Sequence, residues 1–307
     1  MSNFILLTTC FILGMALPRL GRMPVDASRS FNAFIINVSL PALALHYIHE
    51  IRFESALFFP AAMPALIFAG SLLFALAGAR LFSLDRATTG CLIVVGGVSN
   101  TTIVGLPMIE SYYGAGRFGA AIVADQASFV VLCTVGIVVA CIYSDSTASS
   151  RAIVRKIVLF PPVLGAFIAL VLRPVPFPTE LTAVLLKVGG TLTPLAMVSA
   201  GTLFGIGSMR SLLRAFAWGM SYKLLLAPAL VYGLFVLAMG ARGEAVQIAI
   251  FEAAMPSMIT AGIIAIEHKL NPPLATLLVG AAIPVSFLTL AGWWWLLRNV
   301  GGTLAAQ

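Results

Sequence analysis

Residues 96–107 read Gly-Gly-Val-Ser-Asn-Thr-Thr-Ile-Val-Gly-Leu-Pro and lie within a long apolar run. An uninterrupted lipid-facing helix is unfavourable here, because each glycine costs about 1 kcal/mol relative to alanine and four consecutive side chains carry hydroxyl or amide groups. Pro107 also removes the amide that would bond the Ile103 carbonyl. Open backbone at membrane depth is tolerated only where it is buried in protein or lines a wet cavity. The stretch therefore predicts an opened helix whose free amides and positive end favour an anion.

A second stretch has matching features. Residues 251–262 read Phe-Glu-Ala-Ala-Met-Pro-Ser-Met-Ile-Thr-Ala-Gly. Pro256 frees the Glu252 carbonyl, so a carboxylate, an open carbonyl and hydroxyl groups gather at one depth. The alternative is an ordinary proline kink whose hydroxyl groups bond back to their own helix. Two such stretches at equivalent places in two halves favour a substrate site where broken helices cross.

The composition restricts the class of protein. The chain has 307 residues, of which 60% are hydrophobic and 9% charged, whereas a soluble domain carries about 25% charged residues. A soluble enzyme and a disordered chain are therefore excluded. A nucleic-acid-binding module is excluded as well, because the basic residues behind the net charge of +7 are spread singly over short gaps. At roughly 20 apolar residues per crossing, the length accommodates about ten spans. These observations predict an all-α polytopic membrane protein.

Short charged or Pro/Gly gaps separate the apolar runs. The ten predicted spans lie near Asn3–Leu17, Phe31–Ile48, Ala56–Ala79, Ala87–Tyr112, Phe118–Tyr143, Ile157–Leu172, Leu181–Phe204, Leu212–Met239, Glu244–Ile266 and Pro273–Leu297. Eleven Lys and Arg residues fall in the odd gaps or at their edges, against five in the even gaps and at the C-terminal end. This bias places the odd gaps in the cytoplasm and both termini outside.

The longest hydrophilic gap divides the chain into two halves. We predict a first five-helix repeat over residues 1–143, a cytoplasmic linker over 144–156 and a second five-helix repeat over 157–307. Because five is odd, the second repeat runs through the membrane opposite to the first, as in many secondary transporters. In agreement, Leu-Pro-Ala-Leu at 40–43 corresponds to Thr-Pro-Leu-Ala at 193–196.

Four segments resemble the auxin efflux carrier family. Residues 99–107 resemble its fourth-span Asn-Thr…Gly-(Leu/Ile)-Pro motif, 160–164 its sixth span, 194–197 its seventh, and 253–257 with Glu267 and Asn271-Pro272 its ninth and the following turn. The resemblance covers nearly the whole chain in order, and the short central gap is similar to that of bacterial members. One departure is Ser99, where the plant carriers have proline.

The resemblance implies a ten-span fold shared with bile acid:sodium symporters. Spans one, two, six and seven would form a scaffold domain, and spans three, four, five, eight, nine and ten a transport domain built around discontinuous, crossed helices four and nine. It further implies elevator-type alternating access, a cytoplasmic (inner) membrane location, a homodimer through the scaffold and a small carboxylate such as malonate, malate or an auxin-like acid as substrate.

The resemblance also assigns residues. Asn100 would donate its amide to a substrate carboxylate, and Gln126 aligns with a substrate-contacting glutamine of the plant carriers. The predicted substrate-binding set is Ser99, Asn100, Thr101, Gln126, Pro256 and Ser257, and the predicted helix-breaking set is Gly105, Pro107 and Pro256.

Asp125 and Glu252 lie well inside predicted spans, where a charge costs at least about 2.5–3.5 kcal/mol. Asp125 and Glu252 are therefore candidates for coupling to a proton or a cation, or for pairing with a buried base. A sodium site would need several oxygens and a proton only one carboxylate, so H+, Na+ and uncoupled transport all remain open. Lys187 and Lys223 are expected to extend to the membrane interfaces, with neutralisation of the substrate's charge as the alternative for Lys223.

No catalytic, cofactor or metal motif is found. His46, His49 and Glu50 form His-x-x-His-Glu rather than the zinc-binding His-Glu-x-x-His, so we interpret them as interfacial residues. No P-loop, dinucleotide fingerprint or nucleophile elbow is present.

The main hypothesis is a secondary carrier for a small organic anion, with membrane lipid and a second copy as partners. One alternative is a sodium-coupled organic-solute symporter of the bile-acid type. Another is an intramembrane enzyme, which would need Asp125 and Glu252 within hydrogen-bond reach of one another or of a shared water. A third is a sensor that binds without translocating.

Overall fold

The computed structural model describes residues 2–24, 26–49, 57–113, 118–144, 159, 161–203 and 209–298. The described chain is almost entirely helical, and the only β-type pairing within it is one isolated bridge. Its α-helices are α1 (Ser2–Arg19), α2 (Ala27–Phe34), α3 (Leu40–His49), α4 (Phe58–Phe82), α5 (Arg86–Gly96), α6 (Leu106–Tyr113), α7 (Phe118–Val131), α8 (Ile137–Ser144), α9 (Pro161–Val171), α10 (Thr179–Gly190), α11 (Leu192–Leu203), α12 (Met209–Ser221), α13 (Ala227–Tyr232), α14 (Glu244–Ala253), α15 (Ile259–Glu267) and α16 (Pro272–Leu297). Of the predicted linker, only Ser144 is described.

Five helical stretches are long and apolar enough to cross a membrane. They are Phe58–Phe82, Gly119–Ser144, Thr179–Ser199, Leu212–Ala238 and Pro272–Leu297. Two further apolar helical stretches, Thr9–Arg19 and Arg86–Gly96, are shorter. Since a hydrocarbon core is about 30 Å thick, these lengths agree with a multi-pass membrane protein.

Capping residues in the sequence set several helix ends. The Asp85 side chain accepts a hydrogen bond from the Thr88 amide at 2.6 Å and so caps the start of α5. Asn271 caps α16 in the same way through the Leu274 amide. Helix α9 begins at Pro161, where the missing proline amide costs nothing because first-turn amides have no intrahelical partner.

Wide π-helical turns interrupt several of the helices. They occupy Ile35–Ser39, Thr101–Gly105, Leu132–Gly136, Tyr222–Leu226 and Gly233–Ala238. Such turns add a residue to the helical repeat and are frequent at functional sites. Two of them, Thr101–Gly105 and Tyr222–Leu226, contain residues of the site described below.

The helices pack in two neighbourhoods. In one, α1 and α2 pack on α11, and α3 packs on α9 and α10. In the other, α4 packs on α5, α7 and α14, while α5 also contacts α8. The contact between α1 and α11 is close because glycines face each other: a Cβ atom added at Gly201 would lie 2.9 Å from the Gly14 Cα atom.

We expect Gly201→Val to force α1 and α11 apart. Overpacking of this kind costs about 1–3 kcal/mol, which a thermal melt of the detergent-solubilised protein would detect. Gly292→Val is the matched control, since a Cβ atom at Gly292 meets nothing within 4 Å. Equal melting temperatures for the two variants would contradict the close packing of α1 against α11.

Candidate functional site

Two interrupted helices meet in the protein interior. Helix α5 ends at Gly96, and α14 ends at Ala253 before α15 begins at Ile259. The non-helical residues 97–100 and 254–258 lie antiparallel, bridged at Ser99 and Ser257. The Asn100 amide donates to the Pro256 carbonyl at 2.8 Å, and the Met258 amide donates to the Val98 carbonyl at 3.3 Å. Each break thus provides backbone partners for the other, in a region where every residue from Cys91 to Thr101 is buried.

The geometry of the bridge accounts for Ser99. Both hydrogen bonds use backbone groups on either side of Ser99 and Ser257, so neither serine contributes its own amide to them. A proline at position 99, as in the plant carriers, would therefore leave both bonds intact. The serine found here instead supplies a hydroxyl group, whose partner is described below.

The first break lies before the predicted helix-breaking residues of its span. The chain is non-helical at 97–100 and then forms the π-helical turn Thr101–Gly105, in which the Gly105 amide donates to the Asn100 carbonyl at 3.0 Å. Pro107 lies in α6, which continues directly from this turn. In the second half, Pro256 lies within the break itself.

Asp125 is held by two neighbouring hydroxyl groups. Its Oδ1 atom accepts a hydrogen bond from Thr101 Oγ1 at 2.5 Å and another from Thr102 Oγ1. The carboxylate is buried on α7, next to the buried Gln126. Asp125 therefore ties α7 to the π-helical turn that follows the first break.

A cavity of about 230 Å³ lies beside the two breaks. Because a water molecule takes about 30 Å³ of liquid volume, this space is suited to a small solute. Its polar lining comes from Asn100, Thr102, Asp125 and Thr260, and its opposite wall includes Leu43 of α3, Gly189 of α10 and Leu192 of α11. The cavity thus lies between the two packing neighbourhoods.

The structure brings only part of the predicted set to this cavity. Asn100 and Asp125 line it, and Thr102 and Thr260 are additional polar residues that the sequence analysis missed. The other predicted residues, Ser99, Thr101, Gln126, Pro256 and Ser257, are buried but are not part of its lining, and the same holds for Glu252. Thr102 and Thr260 lie within the two quoted stretches, so their position beside the breaks was the available signal.

Lys223 contradicts the expectation that it extends to the membrane interface. Only 1% of its surface is exposed, and its Nζ atom donates to Ser99 Oγ at 2.7 Å and to the Ala253 carbonyl at 2.9 Å. A buried ammonium stays inside when such acceptors are available, and these acceptors come from two distant parts of the chain. Lys187, by contrast, is exposed on α10.

Glu252 is fully buried, and neither of its carboxylate oxygens has a hydrogen-bond partner among the described residues. The carboxylate packs against Gly105, where a Cβ atom would lie 2.8 Å from Oε1. It is hydrogen-bonded to neither Asp125 nor Lys223. The direct contact between Asp125 and Glu252 that a carboxylate-pair enzyme would use is therefore not formed.

The histidines of α3 make other contacts. His49 bonds the Val175 carbonyl through Nε2 at 2.9 Å and stacks on Phe177, whereas His46 is buried. Glu50 lies outside the described residues. In the described part of the chain, no group of three or more His, Cys, Asp or Glu side chains is arranged to hold a metal ion.

Apolar membrane-length helices and a buried polar cavity beside paired helix breaks define a membrane transport protein. The profile of the family described as "Membrane transport protein" matches residues 3–147 and 146–294. The chain therefore belongs to this family, which is the auxin efflux carrier family, as the sequence motifs predicted.

Two relatives are similar over nearly their whole length. An uncharacterized transporter of Methanothermobacter thermautotrophicus is 24% identical over 286 residues, covering 92% of this chain and 93% of the relative. An uncharacterized transporter of Methanocaldococcus jannaschii is 22% identical over 291 residues, covering 91% and 92%. The chain is thus a membrane transporter and not an enzyme, in agreement with the prediction.

Substitutions of Asp125 separate its hydrogen bonds from its charge. We expect Asp125→Leu to lose about 1–3 kcal/mol of stability, because the Thr101 and Thr102 hydroxyl groups lose their acceptor. Asp125→Asn keeps an acceptor oxygen and should melt close to the unsubstituted protein. If Asp125→Leu melted as high as Asp125→Asn in detergent, the two hydroxyl contacts would contribute nothing to stability.

Proposed function

We propose that this protein is a secondary transporter that moves a small organic anion, a mono- or dicarboxylate of the malonate, malate or auxin-like kind. The supporting observation is the cavity beside the paired breaks. It is lined by the Asn100 amide side chain and by Met258, Ile259 and Thr260 at the start of α15. A helix N-terminus carries partial positive charge and free amides, which favour a carboxylate.

Residues outside the cavity lining complete the proposed site. In the proposal, Asn100 contacts the substrate directly, while Ser99, Thr101, Gln126, Pro256 and Ser257 maintain the shape of the crossing behind it. This arrangement needs no resident cofactor, because transport requires only that the substrate stabilise two states differently.

The packing supports an elevator-type cycle. The helices corresponding to predicted spans one, two, six and seven form one neighbourhood, and the cavity lies between it and residues of α7 and α15. In the proposal, the first group is the scaffold, and spans three, four, five, eight, nine and ten form the transport domain that moves past it. Gly189 and Gly190 lie in the scaffold wall of the cavity, and because they have no side chains, nothing projects there to obstruct that motion.

We place this fold in the cytoplasmic (inner) membrane as two inverted five-helix repeats, over residues 1–143 and 157–307, with ten spans and both termini outside. The positive-inside bias supports this orientation. Exposed apolar side chains such as Phe167 (62%) and Val184 (55%) on the scaffold side are suited to lipid or to a second copy in a homodimer.

Asp125 supports coupling to a cation. A substrate carboxylate in the cavity would lie beside the Asp125 carboxylate, and two like charges in a buried space disfavour each other. A proton on Asp125, or Na+ held by Asp125, Thr101 and Thr102, would remove that repulsion. The sodium-coupled alternative is supported by the side-chain oxygen atoms of Asp125, Thr101 and Thr102, which lie together.

Separate gradients distinguish these possibilities. In proteoliposomes, imposed pH, sodium and voltage gradients applied one at a time should each be tested for their effect on carboxylate flux. A flux driven by the pH gradient alone identifies H+ as the coupling ion, and one driven by sodium alone identifies Na+. Asp125→Asn should abolish whichever coupling is found while leaving the protein folded.

Asn100→Ala tests the proposed substrate contact. Removing a hydrogen bond to a charged substrate costs about 1.5–3 kcal/mol, so we expect carboxylate uptake to fall at least about tenfold. Thr134→Ala is the control, because Thr134 is exposed and bonds only its own helix. Unimpaired uptake by a correctly folded Asn100→Ala variant would refute the role of this amide.

A further inference from the structure

Lys223 joins the two breaks through its side chain, in addition to the two backbone hydrogen bonds of the bridge. Its ammonium is bound to Ser99 in the first break and to the carbonyl of Ala253, the last residue of α14. The final carbonyls of a helix lack intrahelical partners and carry partial negative charge. The ammonium therefore neutralises the C-terminal end of one half-helix and fixes the other break to it.

The surroundings of this ammonium are those of a cation site. A hydroxyl oxygen and a carbonyl oxygen contact Nζ, and the buried Glu252 directly precedes Ala253, the residue whose carbonyl is one of these contacts. Hydroxyl, carbonyl and carboxylate oxygens are the ligands that hard cations prefer. Here the charge is supplied by a side chain from the Tyr222–Leu226 turn, so the position is already filled.

We infer that Lys223 is a tethered counter-cation. It permanently occupies the cation position where the two breaks meet and balances Glu252 and the end of α14, so no free metal ion binds there. Its consequence for transport rests on the proposed function: any ion that accompanies the substrate binds elsewhere, beside Asp125.

Removing the side chain should turn the position into a vacant cation site. Lys223→Ala leaves space next to Ser99 and Ala253, whereas Lys223→Met removes the charge but keeps that space occupied. Both are made in the Asp125→Asn background, so that a cation bound at Asp125 cannot contribute. The readout is the melting temperature of the purified protein in detergent, with sodium, methylammonium or choline chloride at equal ionic strength and no substrate present.

We expect Lys223→Ala to melt roughly 5–10 °C below its parent in choline chloride, because a buried carboxylate loses its counter-charge. Sodium or methylammonium should raise this melting temperature in a saturable manner, since both fit the vacated position. The parent and Lys223→Met should not respond to either cation. Lys187→Ala, which removes an exposed lysine, should melt like the parent in all three salts.

Two results would overturn the inference. One is a Lys223→Ala variant that sodium and methylammonium stabilise no more than the parent. The other applies if Lys223→Ala does not fold. In that case Glu252→Gln, added to Lys223→Met, should recover at least half of the decrease in melting temperature that Lys223→Met causes. If it recovers none, the charges of Lys223 and Glu252 do not balance each other. Because this experiment measures no transport, a negative uptake assay would not contradict the inference about Lys223. Likewise, failure of the melting experiment would not contradict the proposed transport function.

Discussion

Two backbone hydrogen bonds, from Asn100 to Pro256 and from Met258 to Val98, hold the centre of this protein together. Because no water is present at membrane depth to bond buried peptide groups, these groups need hydrogen-bond partners within the protein, and the two bonds provide them. A single broken helix would leave such groups exposed to hydrocarbon. Two breaks placed antiparallel satisfy each other, which is why two stretches far apart in the sequence depend on one another.

The polar groups around the bridge are in two environments. Asn100, Asp125 and the start of α15 line a cavity between the two packing neighbourhoods. Lys223 and Glu252 are buried and are not part of its lining. The first environment is accessible to a solute, and the second places a charge beside the helix ends. The residues suited to binding a solute therefore differ from the residues that stabilise the crossing of the two helices.

The sequence was sufficient for features that follow from local chemistry. Glycine, proline and clustered hydroxyl groups in an apolar run predicted both breaks, and family motifs led to Asn100. The predictions that failed concerned residues whose environment is set by other helices of the folded protein. Lys223 was expected at an interface because its acceptors, Ser99 and the Ala253 carbonyl, lie on other helices. Likewise, Thr102 and Thr260 could be assigned to the cavity only once the two stretches were seen side by side.

Disulfide formation between Ser99→Cys and Ser257→Cys tests the meeting of the two breaks most directly. Residues that face each other between bridge hydrogen bonds have Cα atoms about 4.5 Å apart, within the range that a disulfide spans. The double variant should therefore form this cross-link under mild oxidation in native membranes, detected by mass spectrometry of the linked peptides. Ser99→Cys paired with Thr134→Cys should not form one. Absence of the 99–257 cross-link in a folded double variant would contradict the crossing on which the site depends.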